Sequence, residues 1–379
     1  MMFGGFGVGR WLGFRIRVDY SWFVVFALVT WTFAAWEFPD RLPDQGSITY
    51  LLMGIGGALL LFLSVLLHEL AHSVVARSRG IPVEGITLFI FGGVAEMRME
   101  ARRPVDEFVL TVVGPLSSIG LSAVFLALRN LAGLAGWEAT AAVAGTLSVL
   151  NLVLAVFNLI PAFPLDGGRI LRSALWRVTG DLSLATRWAA AVGRGFGLLL
   201  MMAGAFLFLR GYVLGGAWGL LLGWFLTGAA TSAARQDRLR TVLSTVQVFQ
   251  VLSPEIRTVP PDLSVAELVD RHLLSSSLRS CAVIREGRLI GIVTVGDAAD
   301  VEVRLRDSTP VFEIMRPIEE VPVVDTDASV AEVMADLQAA REDRVVAIAE
   351  GEIRGILTVQ DVKAWIEQAS ALGLEAGGR

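Results

Sequence analysis

The string His-Glu-Leu-Ala-His at 68–72, inside an apolar run, carries the clearest chemistry of this chain. On a helix, His68 and His72 lie one turn apart on the same face, where both imidazoles can bind one Zn²⁺. Glu69 is then next to the metal and placed to accept a proton from a water there. Because ionisable side chains are expensive within a bilayer, the motif predicts a hydrolytic zinc site inside a membrane-spanning helix.

A third zinc ligand is expected, because catalytic zinc usually has three protein ligands and one open position. The chain has three histidines and one cysteine, and His272 and Cys281 belong to a polar region far downstream. The third ligand is therefore expected to be a carboxylate. Asp166 is the best placed, because the segment 158–169 ends an apolar run and contains two prolines and a Gly-Gly pair that break a helix.

Other interpretations of these residues stay open from the sequence alone. Glu84 and Glu96 are weaker candidates for the third ligand, since neither has such a rigid setting. The alternative for Asp166 is a helix-end residue that faces cytoplasmic water. Asn158 either hydrogen-bonds a neighbouring helix or takes part in catalysis. The pair Gly114-Pro115 favours a kink or close packing of a third apolar segment.

The composition is that of a membrane protein. The chain has 379 residues, of which 54% are hydrophobic and 18% charged, and its mean hydropathy is +0.62. The net charge of −5 gives no case for nucleic-acid binding, and a single cysteine excludes an intrachain disulfide. Six apolar segments are long enough to span a bilayer, at roughly 21–38, 51–75, 106–128, 141–163, 188–209 and 212–232.

The arginines predict the orientation of these spans. If the N-terminus is cytoplasmic, fifteen of the arginines that flank the spans within residues 1–240 fall on the cytoplasmic side and three on the other. The positive-inside rule then places both termini in the cytoplasm of a multi-pass protein of the cell's inner membrane. His68 and His72 would lie in the inner half of the second span, within reach of cytoplasmic water.

The segment 81–100, between the second and third spans, is too apolar for an ordinary cytoplasmic loop. β-Branched and aromatic residues flank the turn signal Gly92-Gly93, a pattern that favours a β-hairpin. Extended backbone at membrane depth is tolerated only where protein or a water-filled cavity covers it. We therefore expect a membrane-associated hairpin beside the metal.

The composition changes after Ala234, and an internal repeat begins. Gly291-Ile-Val-Thr-Val-Gly-Asp297 matches Gly355-Ile-Leu-Thr-Val-Gln-Asp361, 64 positions later. The predicted architecture is a polytopic α-helical membrane domain of six helices with the hairpin, followed by an α/β tandem domain. The predicted bounds are 1–235 for the membrane domain, 236–247 for a linker, and 248–379 for the repeats, divided at about 248–308 and 309–370.

The membrane half resembles the site-2 proteases, the intramembrane zinc metalloprotease family, in the prokaryotic form that carries tandem CBS domains. The resemblance rests on His68–His72, on Phe91-Gly-Gly-Val94, on Asn158-x-x-Pro-x-x-Pro-Leu-Asp-Gly-Gly168, and on Gly114-Pro115. It implies one Zn²⁺ per chain and a helical substrate that spans the membrane once, for example an anti-sigma factor or another membrane-tethered regulator. The implied roles are zinc ligands for His68, His72 and Asp166, catalysis for Glu69 and Asn158, and substrate binding for Phe91, Gly92 and Gly93.

The C-terminal repeats resemble a CBS pair, in which a Gly-x-x-Thr-x-x-Asp element often contacts an adenine nucleotide. The resemblance implies ATP, ADP or AMP as ligand and a homodimer formed through the repeats. The corresponding residues are Thr294, Asp297, Thr358 and Asp361. The alternative is a folded dimerisation module without a ligand.

Two other classes of protein compete with a protease. A transporter or channel also carries CBS pairs in some cases, and it predicts neither a stoichiometric metal nor proteolysis. A catalytically dead metal-binding scaffold is disfavoured by the intact Glu69.

Overall fold

The computed structural model describes residues 4–97, 101, 103–252, 258–274, 280–340, 344–349 and 352–371. The end of the predicted hairpin at 98–100 and the C-terminal end of the second repeat at 372–379 lie outside the described residues. The chain divides into two compact units, Met1–Asp237 and Arg238–Arg379.

Within the described part of the chain, six helical segments are long and apolar enough to cross a membrane, which confirms the predicted number. The first comprises α1 (Ser21–Thr32), a π-helical stretch (Phe33–Glu37) and α2 (Phe38–Arg41). The other five are α3 (Ser47–Ser78), α4 (Pro104–Leu134), α5 (Glu138–Asn158), α7 (Leu182–Leu209) and α8 (Val213–Thr245). α8 includes residues 236–245 of the predicted linker.

The predicted hairpin is present as β3 (Val83–Phe89) and β4 (Gly92–Met97). Its two-residue turn is Ile90-Phe91, so the predicted turn at Gly92-Gly93 was wrong by two positions and these glycines begin β4. The hairpin belongs to a larger sheet that the sequence interpretation missed. An N-terminal hairpin of β1 (Gly5–Trp11) and β2 (Phe14–Asp19) adds two strands, and the sheet order is β1-β2-β3-β4 with β2 and β3 parallel. β4 is therefore an edge strand.

One face of this sheet packs on α3. Alternate residues of β2 and β3, including Ile16 and Ile86, form a buried cluster with Leu66 and Leu70 of α3. The period-2 alternation of a strand and the one-turn spacing of a helix make this contact possible. Since Leu70 belongs to the motif 68–72 and Leu66 precedes it by half a turn, the same packing holds the hairpin beside the motif.

A short amphipathic helix, α6 (Asp166–Thr179), follows the proline-containing segment after α5. A Cβ at either Gly167 or Gly168 would overlap the backbone of residues 159–163, so only glycine allows the first turn of α6 to pack there. The helix ends at Gly180, whose φ of +72° is the left-handed conformation typical of a helix C-terminus. This packing places Asp166 at the first position of α6.

The second unit contains two repeats that each build a small mixed sheet. Strands of the first repeat are β5 (Thr258–Val259), β6 (Ser280–Arg285), β7 (Arg288–Thr294) and β8 (Arg316–Pro317). Those of the second are β9 (Val323–Asp325), β10 (Arg344–Ala349) and β11 (Glu352–Thr358). The helices are α9 (Val265–Glu267), α10 (Val295–Ala299), α11 (Val311–Ile314), α12 (Val330–Ala340) and α13 (Val359–Ala371).

The two repeats pack on each other through equivalent positions. Ala282 and Val346 share a buried cluster with Ile292 and Ile356, and each pair is separated by the repeat length of 64 residues. The repeats are therefore related by an approximate twofold axis.

Candidate metal centre

The structure brings His68, His72 and Asp166 together. His68 Nε2, His72 Nε2 and Asp166 Oδ2 form a triangle whose three sides are each 3.2 Å. All three residues are buried, with exposed fractions of 4%, 4% and 8%. They are the metal-binding group found among the described residues.

The spacing of these atoms fits zinc. Ligands about 2.0 Å from a tetrahedrally coordinated ion lie about 3.3 Å from one another, close to the side of the observed triangle. Three nitrogen and oxygen ligands also leave the fourth position of the tetrahedron open. The residues present therefore match a catalytic rather than a closed structural zinc site.

The outer nitrogen of each imidazole has a partner on α4. His72 Nδ1 lies 2.7 Å from the carbonyl oxygen of Leu110, and His68 Nδ1 lies 2.9 Å from Ser118 Oγ. Because a carbonyl only accepts, His72 Nδ1 donates, and the Nε2 of the neutral ring carries a lone pair. This lone pair of His72 faces the carboxylate of Asp166, an arrangement that a cation between them stabilises.

Asp166 is charged in this setting. Burial by itself would raise the pKa of its carboxyl group, but hydrogen bonds from His68 and His72 in their protonated form hold that pKa below its usual range, a part that a cation takes over when the rings are neutral. The carboxylate therefore presents a negative oxygen to the position that the cation would occupy.

Gly114 of α4 lies against both imidazoles. A Cβ at this position would overlap His72 Nε2 and lie 2.7 Å from His68 Nε2. The sequence interpretation favoured a kink or helix packing for Gly114-Pro115, and the structure adds direct contact with the metal-binding rings. The helical spacing of Leu110, Gly114 and Ser118 was the signal available in the sequence, since these residues share one face of α4.

Glu69 lies between the metal-binding residues and the hairpin. A Cβ at Gly93 of β4 would be 2.5 Å from Glu69 Cγ, so only glycine permits the observed approach. The turn of the hairpin contacts α8, where Phe225 stacks on Phe91 with ring centroids 4.0 Å apart. Gly92 has a φ of +128°, a conformation that glycine adopts readily.

The other sequence-predicted residues of the membrane unit have different surroundings. Asn158 is the last residue of α5 and half-buried, and no hydrogen bond joins its side chain to the metal-binding residues within the described ranges. Glu96 accepts a hydrogen bond from Thr87 Oγ1 at 2.7 Å across the hairpin.

A buried ion pair near the site was missed by the sequence interpretation. Glu107, in the first turn of α4, is 1% exposed and accepts a hydrogen bond from Arg172 Nε of α6 at 2.8 Å. Arg169 Nε of α6 lies 3.8 Å from the same carboxylate. This pair ties α4, which contacts both histidines, to α6, which begins with Asp166.

In the second unit, each Thr-x-x-Asp element caps a helix. Asp297 Oδ2 accepts hydrogen bonds from Thr294 N and Oγ1 at 2.7 and 2.9 Å, and Asp361 Oδ2 accepts the equivalent bonds from Thr358 at 2.9 and 2.6 Å. Asp297 has an additional partner, Arg344 of the second repeat. The two elements therefore share one local geometry, and they differ in the ion pair that Arg344 makes with Asp297.

Comparisons with known proteins agree with this architecture. The model of peptidase family M50 matches residues 56–133 and 130–203, and that of the CBS domain matches 248–304 and 311–368. A Mycobacterium tuberculosis relative named as the zinc metalloprotease Rip3 is 34% identical over 363 residues, which cover 95% of this chain and 92% of the relative. A Synechocystis relative, also named as a zinc metalloprotease, is 31% identical, with 96% of each chain covered.

A solved site-2 protease from Methanocaldococcus jannaschii is 26% identical, covers 61% of this chain and 95% of its own, and has a TM-score of 0.43. The class defined by the fold and the metal centre is that of multi-pass membrane zinc metalloproteases. The chain belongs to peptidase family M50, the site-2 protease family, and carries a tandem CBS pair.

Proposed function

We propose that this protein hydrolyses peptide bonds within the membrane-spanning helix of single-span membrane proteins, with one Zn²⁺ held by His68, His72 and Asp166. The observation that carries the proposal is the close approach of Gly93 to Glu69, since it puts the edge strand β4 beside the side chain that follows His68 in the motif. A substrate segment added to that strand would lie alongside Glu69.

Each residue has a role in this reaction. Zinc, when bound, lowers the pKa of the attacking water and polarises the scissile carbonyl. Glu69 accepts the proton of the attacking water and then donates it to the leaving amine. Asn158 donates a hydrogen bond from its amide to the carbonyl oxygen or to the substrate backbone as negative charge develops there.

The hairpin binds the unwound substrate. A helix hides its peptide bonds in internal hydrogen bonds, so the cleaved segment must be extended. In a two-residue hairpin the closing residues exchange hydrogen bonds, and alternate residues of β4, among them Gly93 and Ala95, therefore direct their N–H and C=O groups away from β3. These groups accept a substrate strand by β-augmentation, and the Phe91–Gly93 turn region contacts its side chains.

The substrates are proposed to be anti-sigma factors or other membrane-tethered regulators, cut in the inner membrane. The arginine distribution supports cytoplasmic termini and therefore cytoplasmic repeats. The proposed bounds, a catalytic domain at 1–235, a linker at 236–247 and repeats at 248–379, rest on the change in composition after Ala234 and on the internal repeat. These repeats are proposed to form a homodimer and to bind ATP, ADP or AMP through the Thr-x-x-Asp elements. Nucleotide binding would regulate cleavage if the open and closed states of the protease bound the nucleotide with different affinities.

Cleavage of a model single-span substrate in lipid vesicles tests the proposal. We expect wild-type protein to cleave, Glu69→Gln to retain one zinc per chain without cleaving, and Asp166→Ala to lose zinc. Proteolysis by zinc-loaded Glu69→Gln would overturn the role of Glu69. A wild-type protein with neither stoichiometric metal nor proteolysis would favour the transporter or channel.

A further inference from the structure

The two Thr-x-x-Asp elements of the repeats differ in one contact. Arg344 is the first residue of β10 in the second repeat, and its guanidinium reaches the first repeat. There NH1 lies 2.6 Å from Asp297 Oδ2 and NH2 lies 2.8 Å from Asp297 Oδ1. The arginine is 3% exposed, and NH1 also donates to the carbonyl oxygen of Ile292 at 3.2 Å.

This pair uses the acceptor capacity of Asp297. Oδ2 accepts from Thr294 N, Thr294 Oγ1 and Arg344 NH1, and Oδ1 accepts from Arg344 NH2. A ribose hydroxyl that bound this carboxylate would have to displace the guanidinium. That displacement would separate a buried guanidinium from the carboxylate that pairs with it, which is strongly unfavourable.

The equivalent position in the first repeat is a serine. Arg344 pairs with Thr358 across β10 and β11, and Ser280 pairs with Thr294 across β6 and β7, so the two residues occupy the same place 64 positions apart. The repeats pack through equivalent residues, so an approximate twofold axis relates one to the other. The same axis that relates Arg344 to Ser280 relates Asp297 to Asp361. Ser280 therefore has the position relative to Asp361 that Arg344 has relative to Asp297. A serine side chain is too short to reach that carboxylate as Arg344 reaches Asp297, and it has no charge with which to form an ion pair.

Asp361 accordingly keeps acceptor capacity. Its Oδ2 accepts from Thr358, while within the described residues no ion pair is made by this carboxylate and no hydrogen bond reaches its Oδ1. The Thr358 and Asp361 element is thus arranged like the first element but without the internal cation.

We infer that the CBS pair binds one adenine nucleotide per chain, at Thr358 and Asp361, and that Arg344 closes the Thr294 and Asp297 element by acting as an internal substitute for the ligand. The inference rests on the proposed nucleotide binding and restricts it to one of two related sites. It also gives Arg344 a second role, because the same ion pair joins the two repeats and fixes their relative position within the unit.

Equilibrium dialysis of the full chain in detergent, with labelled AMP, ADP and ATP each in turn, tests the inference. We expect one nucleotide per wild-type chain for at least one of the three. Asp361→Asn should weaken that binding by about tenfold or more, because a hydrogen bond to a charged acceptor is lost. Thermal unfolding of each variant shows that it is folded.

A matched exchange of the two equivalent residues gives the decisive comparison. Arg344→Ser should raise the stoichiometry to two per chain, and Ser280→Arg should abolish binding by closing the second element. Two nucleotides on the wild-type chain, or unchanged binding in both Asp361→Asn and Ser280→Arg, would overturn the inference and leave nucleotide binding itself intact. No binding of any of the three to wild-type protein would overturn the inference together with the proposed nucleotide control.

Discussion

Gly114 of α4 is in direct contact with His72 of α3, so closely that the histidine ring occupies the space where any other residue would place its Cβ. The same missing Cβ would lie 2.7 Å from His68 Nε2. α4 therefore forms one wall of the metal centre. It also supplies the hydrogen-bond partners of both Nδ1 atoms, at Leu110 and Ser118.

Alanine at position 114 is expected to abolish zinc binding, because its methyl group must displace one or both imidazoles from the 3.2 Å triangle. Zinc content after dialysis against a weak chelator measures the effect. Gly120→Ala is the matched control on the same helix, since a Cβ there meets no atom within 4 Å. Full zinc occupancy in Gly114→Ala would mean that α4 can move away without disturbing the ligands.

Ser118→Ala is expected to lower zinc affinity by about 10- to 100-fold, the usual effect of removing a residue that orients a metal-binding histidine. The loss follows because Ser118 Oγ fixes the His68 ring through Nδ1 at 2.9 Å. Competition with a chelator of known zinc affinity measures the zinc affinity of the variant. Ser117→Ala is the control, because Ser117 Oγ donates to the carbonyl of Gly114 instead. Equal affinities in the two variants would contradict the orienting role.

Gly93→Ala is expected to reduce cleavage strongly while leaving zinc content unchanged. The new methyl group would be 2.5 Å from Glu69 Cγ and 3.4 Å from Leu88 Cδ2, so either Glu69 or β4 must shift, whereas the metal ligands are not among its nearest neighbours. Gly56→Ala, in α3 and with open space around its Cβ, is the control. Wild-type cleavage by Gly93→Ala would argue against substrate binding beside Glu69, and loss of zinc would place Gly93 among the supports of the metal centre.

Local sequence patterns predicted much of this arrangement. The i, i+4 spacing of His68 and His72 predicted that both side chains lie on one face of a helix. The small number of histidines indicated a carboxylate as third ligand, with Asp166 the best placed. The pair Gly92-Gly93 predicted a hairpin in this segment. The six spans followed from length and hydropathy. Each of these features is encoded within one segment of the chain.

Features that depend on contacts between distant segments were not predictable in this way. β2, Phe14-Arg-Ile-Arg-Val-Asp19, alternates apolar and charged residues, a strand signal that the sequence interpretation missed. Its parallel pairing with β3, in contrast, joins segments 70 positions apart, as in the pair Arg15 and Gly85. Ser118 reaches His68 across 50 positions, and Arg344 reaches Asp297 across 47. Only the packing of one element on another brings such polar side chains together.

The buried pair of Glu107 and Arg172 positions Asp166, because it joins α4 to the helix that Asp166 begins. Replacing Arg172 by leucine removes the closest cation from the buried carboxylate of Glu107 and leaves Arg169 at 3.8 Å, so the cost in the free energy of unfolding is up to about 3–5 kcal/mol, the usual cost of breaking a buried ion pair. We expect Arg172→Leu to lower both this free energy, measured by denaturant titration in detergent, and the zinc content. The double variant Glu107→Leu and Arg172→Leu should lose less stability than the sum of the single variants, since it removes both charges. Arg177→Leu, an exposed position in the last turn of α6, is the control. If Arg172→Leu matched this control in stability and zinc content, the ion pair would not be what holds Asp166 at the metal centre.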